Sequence, residues 1–142
     1  MRSSGVDTGP GLPGSSPRRR LREGGEGSYE DVAGYSRAIR VGSHISVSGT
    51  TAPTPVLSES TYDQAVGSLR RAIGAVESLG GTRESIVRTR VFLAPGADWE
   101  AASAAHQRLL GDVAPANTML YVGMLIGPGL LVEVEVDAEV DG

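Results

Sequence analysis

The stretch Ala114–Val140, APANTMLYVGMLIGPGLLVEVEVDAEV, decides the fold. It reads as two strands joined by a turn at Ile126-Gly127-Pro128-Gly129, where glycine tolerates positive φ and proline fixes its own. In the second strand Val132, Val134, Val136, Ala138 and Val140 share one face, and Glu133, Glu135, Asp137 and Glu139 share the other. One face must be covered. The other carries a row of carboxylates, which is either a solvated sheet face or the wall of a polar site.

Working outward, Asp98 is suited to cap a helix that runs to Leu110 and closes at Gly111. Trp99, Ala102, Ala105, His106 and Leu109 form its expected inner face. The residues from about Ser85 to Leu93 alternate as a strand, with Val87, Thr89, Val91 and Leu93 opposite Arg88, Arg90 and Phe92. A longer helix starts near Thr61, where Thr61 and Gln64 fit a capping box. Its stripe is Ala65, Val66, Leu69, Ala72, Ile73, Val76 and Leu79, and Gly80-Gly81 ends it. Thr51 to Glu59, with Pro53 and Pro55, reads as a loop. Tyr35–Val41 and His44–Thr50 form a hairpin across Gly42-Ser43.

The order β-β-α-β-α-β-β predicts a single α+β domain over residues 29–142, with both helices on one face of the sheet. The other face, holding Arg88, Arg90, Phe92 and the carboxylate row, suits cross-strand charge pairing and self-association. Residues 1–28 are rich in Gly, Ser, Pro and Arg, have little to bury, and are expected to be a disordered arm. Gly9 to Gly14 matches GxGxxG, but no strand is predicted before it and its prolines block a following helix, so it is discarded.

Composition excludes several classes. There is no cysteine, hence no disulfide and no thiolate nucleophile. His44 and His106 are too few for a zinc site without carboxylate help, so neither metal nor cofactor is expected. A net charge of −4 speaks against nucleic acid as the main partner. The basic run Arg18-Arg19-Arg20 with Arg22 reads most simply as a solubilising tail. No apolar run approaches the ~18 residues of a membrane span, and the N-terminus lacks the apolar core of a secretory signal. A soluble cytoplasmic protein with no membrane partner is the expectation.

Several pieces, taken in order and spacing, resemble one family. They are Tyr35-Ser36-Arg37-Ala38, Val47-Ser48-Gly49-Thr50, Ser78-Leu79-Gly80-Gly81, Val87 to Leu93, Asp98-Trp99, Pro115-Ala116 and Val132-Glu133-Val134-Glu135. From Tyr35 to Val140 the chain is similar to the YjgF/YER057c/UK114, or Rid (reactive intermediate deaminase), family. That resemblance implies a chorismate-mutase-like fold, a homotrimer, and ligand clefts between subunits. It also implies an enzyme of the imine and enamine hydrolase (deaminase) type, acting on a small molecule such as 2-aminoacrylate to give a ketone and ammonia.

Carried over by position, the resemblance makes Glu133 the water-orienting carboxylate and Tyr35 a cleft residue, with Ser48 and Gly49 at the strand end. The family's carboxylate-binding arginine follows Pro-Ala. Here that position is Asn117, in Pro115-Ala116-Asn117-Thr118-Met119, and an amide replaces a fixed cation. Arg88 or Arg90 are candidates to reach in instead. Thr118, Met119 and Tyr121 share the strand of Asn117; for Met119 and Tyr121, lining the cleft and packing in a core or interface are equal alternatives. Glu133 is open between water activation and pairing with Arg88 or Arg90. Imine hydrolysis, or an imine-linked cyclisation or dehydration, is the leading reading. A non-catalytic trimer that binds metabolites or proteins is the alternative, and RNA cleavage is a weaker one.

Overall fold

The computed structural model describes residues 5–9, 16–53 and 60–141. The strand that alternates most strictly, Val132–Glu139, lies inside its sheet, between two others. Val132, Val134, Val136 and Ala138 are buried, and withdrawing each valine from water contributes about 1.5–3 kcal/mol. In chain order the elements are β1 (Gly5–Gly9), β2 (Arg18–Arg22), α1 (Tyr29–Ala33), β3 (Ala38–Val41), β4 (His44–Thr50) and α2 (Thr61–Ser78). After a 3-10 turn at Arg83–Ser85 come β5 (Ile86–Leu93), α3 (Trp99–Leu110), β6 (Ala116–Tyr121) and β7 (Val132–Glu139). They form one seven-stranded sheet of order β1-β2-β3-β4-β7-β5-β6. Only the β5–β6 pair is parallel, as expected for strands joined by a helical crossover, here α3.

The predicted β-β-α-β-α-β-β order is present as β3 to β7 with α2 and α3. The two helices bury Leu69, Ala72, Val76, Ala102, Ala105 and Leu110 against the β7 valines in one core. The carboxylate row lies on the opposite, open face, where Arg90 pairs with Asp137 at 3.1 Å and Glu135 at 3.7 Å.

Several local expectations are corrected. Residues Gly5–Gly9 and Arg18–Arg22, expected within a disordered arm, form a hairpin that extends the sheet beyond β3. Leu21 is buried, and Arg19 reaches the Leu79 carbonyl at 3.4 Å. The GxGxxG stretch past Gly9 and loop residues 54–59 lie outside the described residues. A short helix, α1, precedes β3; Ser28 caps it and Gly34, at φ 78°, ends it.

Ser60, not Thr61, caps α2, its Oγ accepting the Asp63 N–H at 3.2 Å. Thr61 Oγ1 is therefore free to accept the Asp98 N–H at 3.0 Å. Gln64 turns fully inward. Its Nε2 donates to Gly129 O at 2.9 Å and its Oε1 accepts from Leu131 N at 2.8 Å, pinning the turn before β7 to α2.

Val87, expected on the inner face, is exposed. β5 has one more residue than β7 between the Ile86–Ala138 and Arg88–Asp137 pairs, and this bulge turns Val87 outward. Trp99, expected to pack on the sheet, is 54% exposed, because at the first position of α3 it lies beyond the buried stripe.

Candidate functional site

A second bulge builds the site. Between the Val47–Val136 and Thr50–Val134 pairs, β4 supplies Ser48 and Gly49 where β7 supplies one residue, Glu135. Bulges re-aim side chains and break pairing. Here the break leaves Gly49 O to accept a 2.7 Å hydrogen bond from Arg37 Nη2. Glu133 then packs directly on the Gly49 backbone: a Cβ at residue 49 would run into Glu133 Oε2. A side chain there would have to push the Glu133 carboxylate aside.

Glu133, Gly49, Tyr35 and Arg37 line one cleft of about 720 Å³. Segment 23–35 supplies Glu23, Glu30 and Tyr35 to its wall, α2 supplies Arg71, and the β6–β7 connection supplies Ile126 and Leu130. Burial raises the pKa of Glu133; Arg37 opposes the shift and Glu135 adds to it. Glu133 has moved away from the arginines of β5, standing across from Phe92 on the ladder. Arg37 is the positive charge that acts on it, and among the described residues no ion pair joins it to Arg88 or Arg90.

Arg37 is only 9% exposed. Burial lowers its pKa first, and Arg71 nearby adds to that, while Tyr35, Glu30 and Glu23 oppose it. The guanidinium lies 5.9 Å from the centre of the Tyr35 ring. Its Nε is 3.9 Å from Glu30 Oε1, an ion pair too long for a hydrogen bond. Both of those atoms are buried without a hydrogen-bond partner. Arg71, by contrast, is tied to Glu23 Oε1 at 2.9 Å and to Thr51 O at 3.1 Å.

The remaining sequence candidates divide. Ser48 donates to Ser36 O at 2.6 Å. With Tyr35 and Arg90 it lines an adjoining hollow of about 420 Å³, so Tyr35 stands between the two spaces. Arg88 lines neither, lying between Asp137 and Ala116 on the ladder.

The β6 residues do not meet Glu133 within one chain. Asn117 pairs with Thr89 in the parallel register and shares its helix-facing side, away from the carboxylate row. Asn117 Nδ2 donates to Thr89 Oγ1 at 2.9 Å, and that oxygen lies 2.8 Å from His106 Nε2. Burial lowers the His106 pKa. With the imidazole neutral, the Thr89 hydroxyl accepts from Asn117 and donates to His106. Met119 contacts Ser103 Oγ through its sulfur at 3.6 Å, and Tyr121 donates to Ala97 O at 2.6 Å. Thr118 alternates to the open face. Strand alternation thus turns Asn117, Met119 and Tyr121 to the helix side and Thr118 to the open face, and within one subunit the four do not line one cleft.

Sequence reasoning missed Arg37, Glu30, Arg71 and Glu23 as site residues. The available signal was a charged Arg37 in phase with Ile39 and Val41. Among the described residues no group of three or more His, Asp or Glu is placed to hold a metal ion. No described helix is long and apolar enough to cross a membrane.

This arrangement of sheet and helices is that of a known family. The Endoribonuclease L-PSP family profile matches residues 27–140, and the chain belongs to that family, known also as YjgF/YER057c/UK114. A Mycobacterium tuberculosis member of known structure is 35% identical and superposes with a TM-score of 0.77, covering 87% of this chain and 99% of its own. An uncharacterized Streptomyces coelicolor protein is 35% identical over 123 residues, 84% of this chain and 90% of its own. Escherichia coli TdcF, solved with bound serine, shares the fold at 21% identity and a TM-score of 0.67, covering 75% of this chain and 88% of TdcF.

Proposed function

We propose that this chain is one subunit of a homotrimeric enzyme that processes an imine, enamine or related carbonyl intermediate, with hydrolysis to ketone and ammonia as the leading reaction. The carrying observation is Glu133. A carboxyl with a raised pKa, seated against bare backbone at Gly49 in a cleft with Tyr35 and Arg37, suits proton transfer. In the reaction, Glu133 takes a proton from the water that attacks the C=N carbon and passes it to the nitrogen; it then moves the proton of the new hydroxyl to the nitrogen as the C–N bond breaks, the C=O bond forms and ammonia leaves. Tyr35 orients the substrate from between the two hollows.

The trimer reading is supported by what β6 leaves outside. Leu120 and Tyr121 on this edge strand are 41% and 50% exposed. Asn117 and Met119, turned from Glu133 in their own chain, reach a cleft only across a subunit boundary. The neighbour then brings a neutral amide, Asn117, and not a charge.

Incubation with imines generated enzymatically from amino acids, with ammonia release followed, tests the reading. A rate above the protein-free background is expected, and its absence overturns it. A non-catalytic binding trimer is the second reading, favoured by the engagement of Asn117 Nδ2 with Thr89. That reading predicts ligand binding with no ammonia release. RNA cleavage, a third and weaker reading, predicts loss of an added RNA.

A further inference from the structure

Arg37 is not explained by the fold alone. A guanidinium has five N–H donors, and its hydrogen bond to a described residue runs from Nη2 to Gly49 O. Nε is buried and unpartnered. Nη1 has no hydrogen-bond partner among the described residues and is not among the buried atoms, and Arg37 lines the cleft. Glu30, the carboxylate beside it, stands off at 3.9 Å. Desolvating a cation while leaving its donors unmatched is costly. A residue kept in that condition on a cleft wall is prepared for a ligand that brings oxygens.

We propose that Arg37 binds the carboxylate of the ligand in the Glu133 cleft, so that the cation for the substrate comes from the β3 entry instead of from β6. This rests on the imine reading and names which end of the substrate the cleft holds. The geometry orders the site. Arg37 is fixed on Gly49 O, and Glu133 packs on the same glycine, so a ligand carboxylate on Arg37 places the adjacent carbon beside Glu133. The planar fork of arginine suits two-point contact with a carboxylate. Arg71, held by Glu23 and Thr51 O, adds a second positive charge behind it. Of the opposing carboxylates, Glu23 is matched by Arg71, and burial favours the neutral form of Glu133.

The test uses the full chain and pyruvate, the ketone product expected from 2-aminoacrylate, with pyruvamide as its uncharged counterpart. Binding is followed by NMR on 15N-labelled protein, reading the Arg37 Nε–H and the Gly49 amide. Pyruvate is expected to shift both signals and pyruvamide neither. Arg37→Met should weaken pyruvate binding about tenfold or more, the loss of a charged hydrogen bond. Because that variant strands Glu30, the Arg37→Met/Glu30→Gln double variant is measured beside it and should show the same loss. Arg70→Met, on an exposed arginine of α2, should leave binding unchanged.

Wild-type protein insensitive to pyruvate, or affinity as high as the wild type's in both Arg37 variants, overturns the proposal. Ammonia release that survives Arg37→Met would leave the imine reading standing and remove this assignment. Pyruvate binding through Arg37 without ammonia release would do the reverse.

Discussion

Glu133 and Asn117 stand on β7 and β6, two strands of one sheet with β5 between them, yet their surroundings differ in kind. Around Glu133 polar atoms are left over: Arg37 Nε and Glu30 Oε1 are buried without partners. Around Asn117 the groups answer one another, amide to hydroxyl to imidazole. Unpartnered buried polar groups are costly and call for an explanation, often a ligand or catalytic one. Closed networks contribute to folding. The difference teaches that the residue after Pro115-Ala116, conspicuous in the family pattern, is engaged by its own fold here, while the unmatched polar groups gather beside the β4 bulge.

That contrast predicts opposite outcomes for two substitutions. Glu133→Gln should lower ammonia release by about 10²-fold or more, the usual contribution of a general acid or base. The same change should stabilise the protein near neutral pH. The folded state holds the Glu133 proton more tightly than the unfolded chain, so stability falls as pH rises from the ordinary carboxylate range towards the raised value. Urea unfolding of the two proteins should therefore diverge with rising pH and coincide at low pH. Equal curves at all pH values would break the comparison.

Gln64→Leu should cost about 2–4 kcal/mol in urea unfolding, because Gly129 O and Leu131 N are left unmatched under α2. Asn117→Ala should cost about 1 kcal/mol, one hydrogen bond to the buried Thr89, with less effect on turnover than Glu133→Gln. A larger rate loss for Asn117 than for Glu133 would invert the comparison. The smallest effect is expected at Ala114, which carries φ 51° just before β6. Ala114→Gly should raise stability by about 0.5 kcal/mol, relieving left-handed strain at some cost in chain entropy.

Legibility in the sequence followed periodicity. The alternation of β7 and the stripe of α2 each fixed a face, because many residues repeat one message. The hairpin of β1 and β2 was hidden, since Arg18-Arg19-Arg20-Leu21-Arg22 buries one leucine and otherwise looks like a solvated tail. The two bulges were invisible, as a single extra residue in β4 or β5 has no composition of its own; with them went the outward turn of Val87 and the meeting of Gly49 with Glu133. Glu133 was found through the family pattern. Arg37, Glu30 and Arg71 were missed because they converge from three separate segments, and only the folded chain brings them to one wall.

The central claim is that the Glu133 carboxyl handles the proton in the reaction. The pH dependence of ammonia release tests it most directly. The account predicts a rate that rises with pH through an inflection above the ordinary carboxylate value of about 4.3, as its base form appears, and that loses this inflection in Glu133→Gln. An inflection that persists unchanged in Glu133→Gln would contradict it.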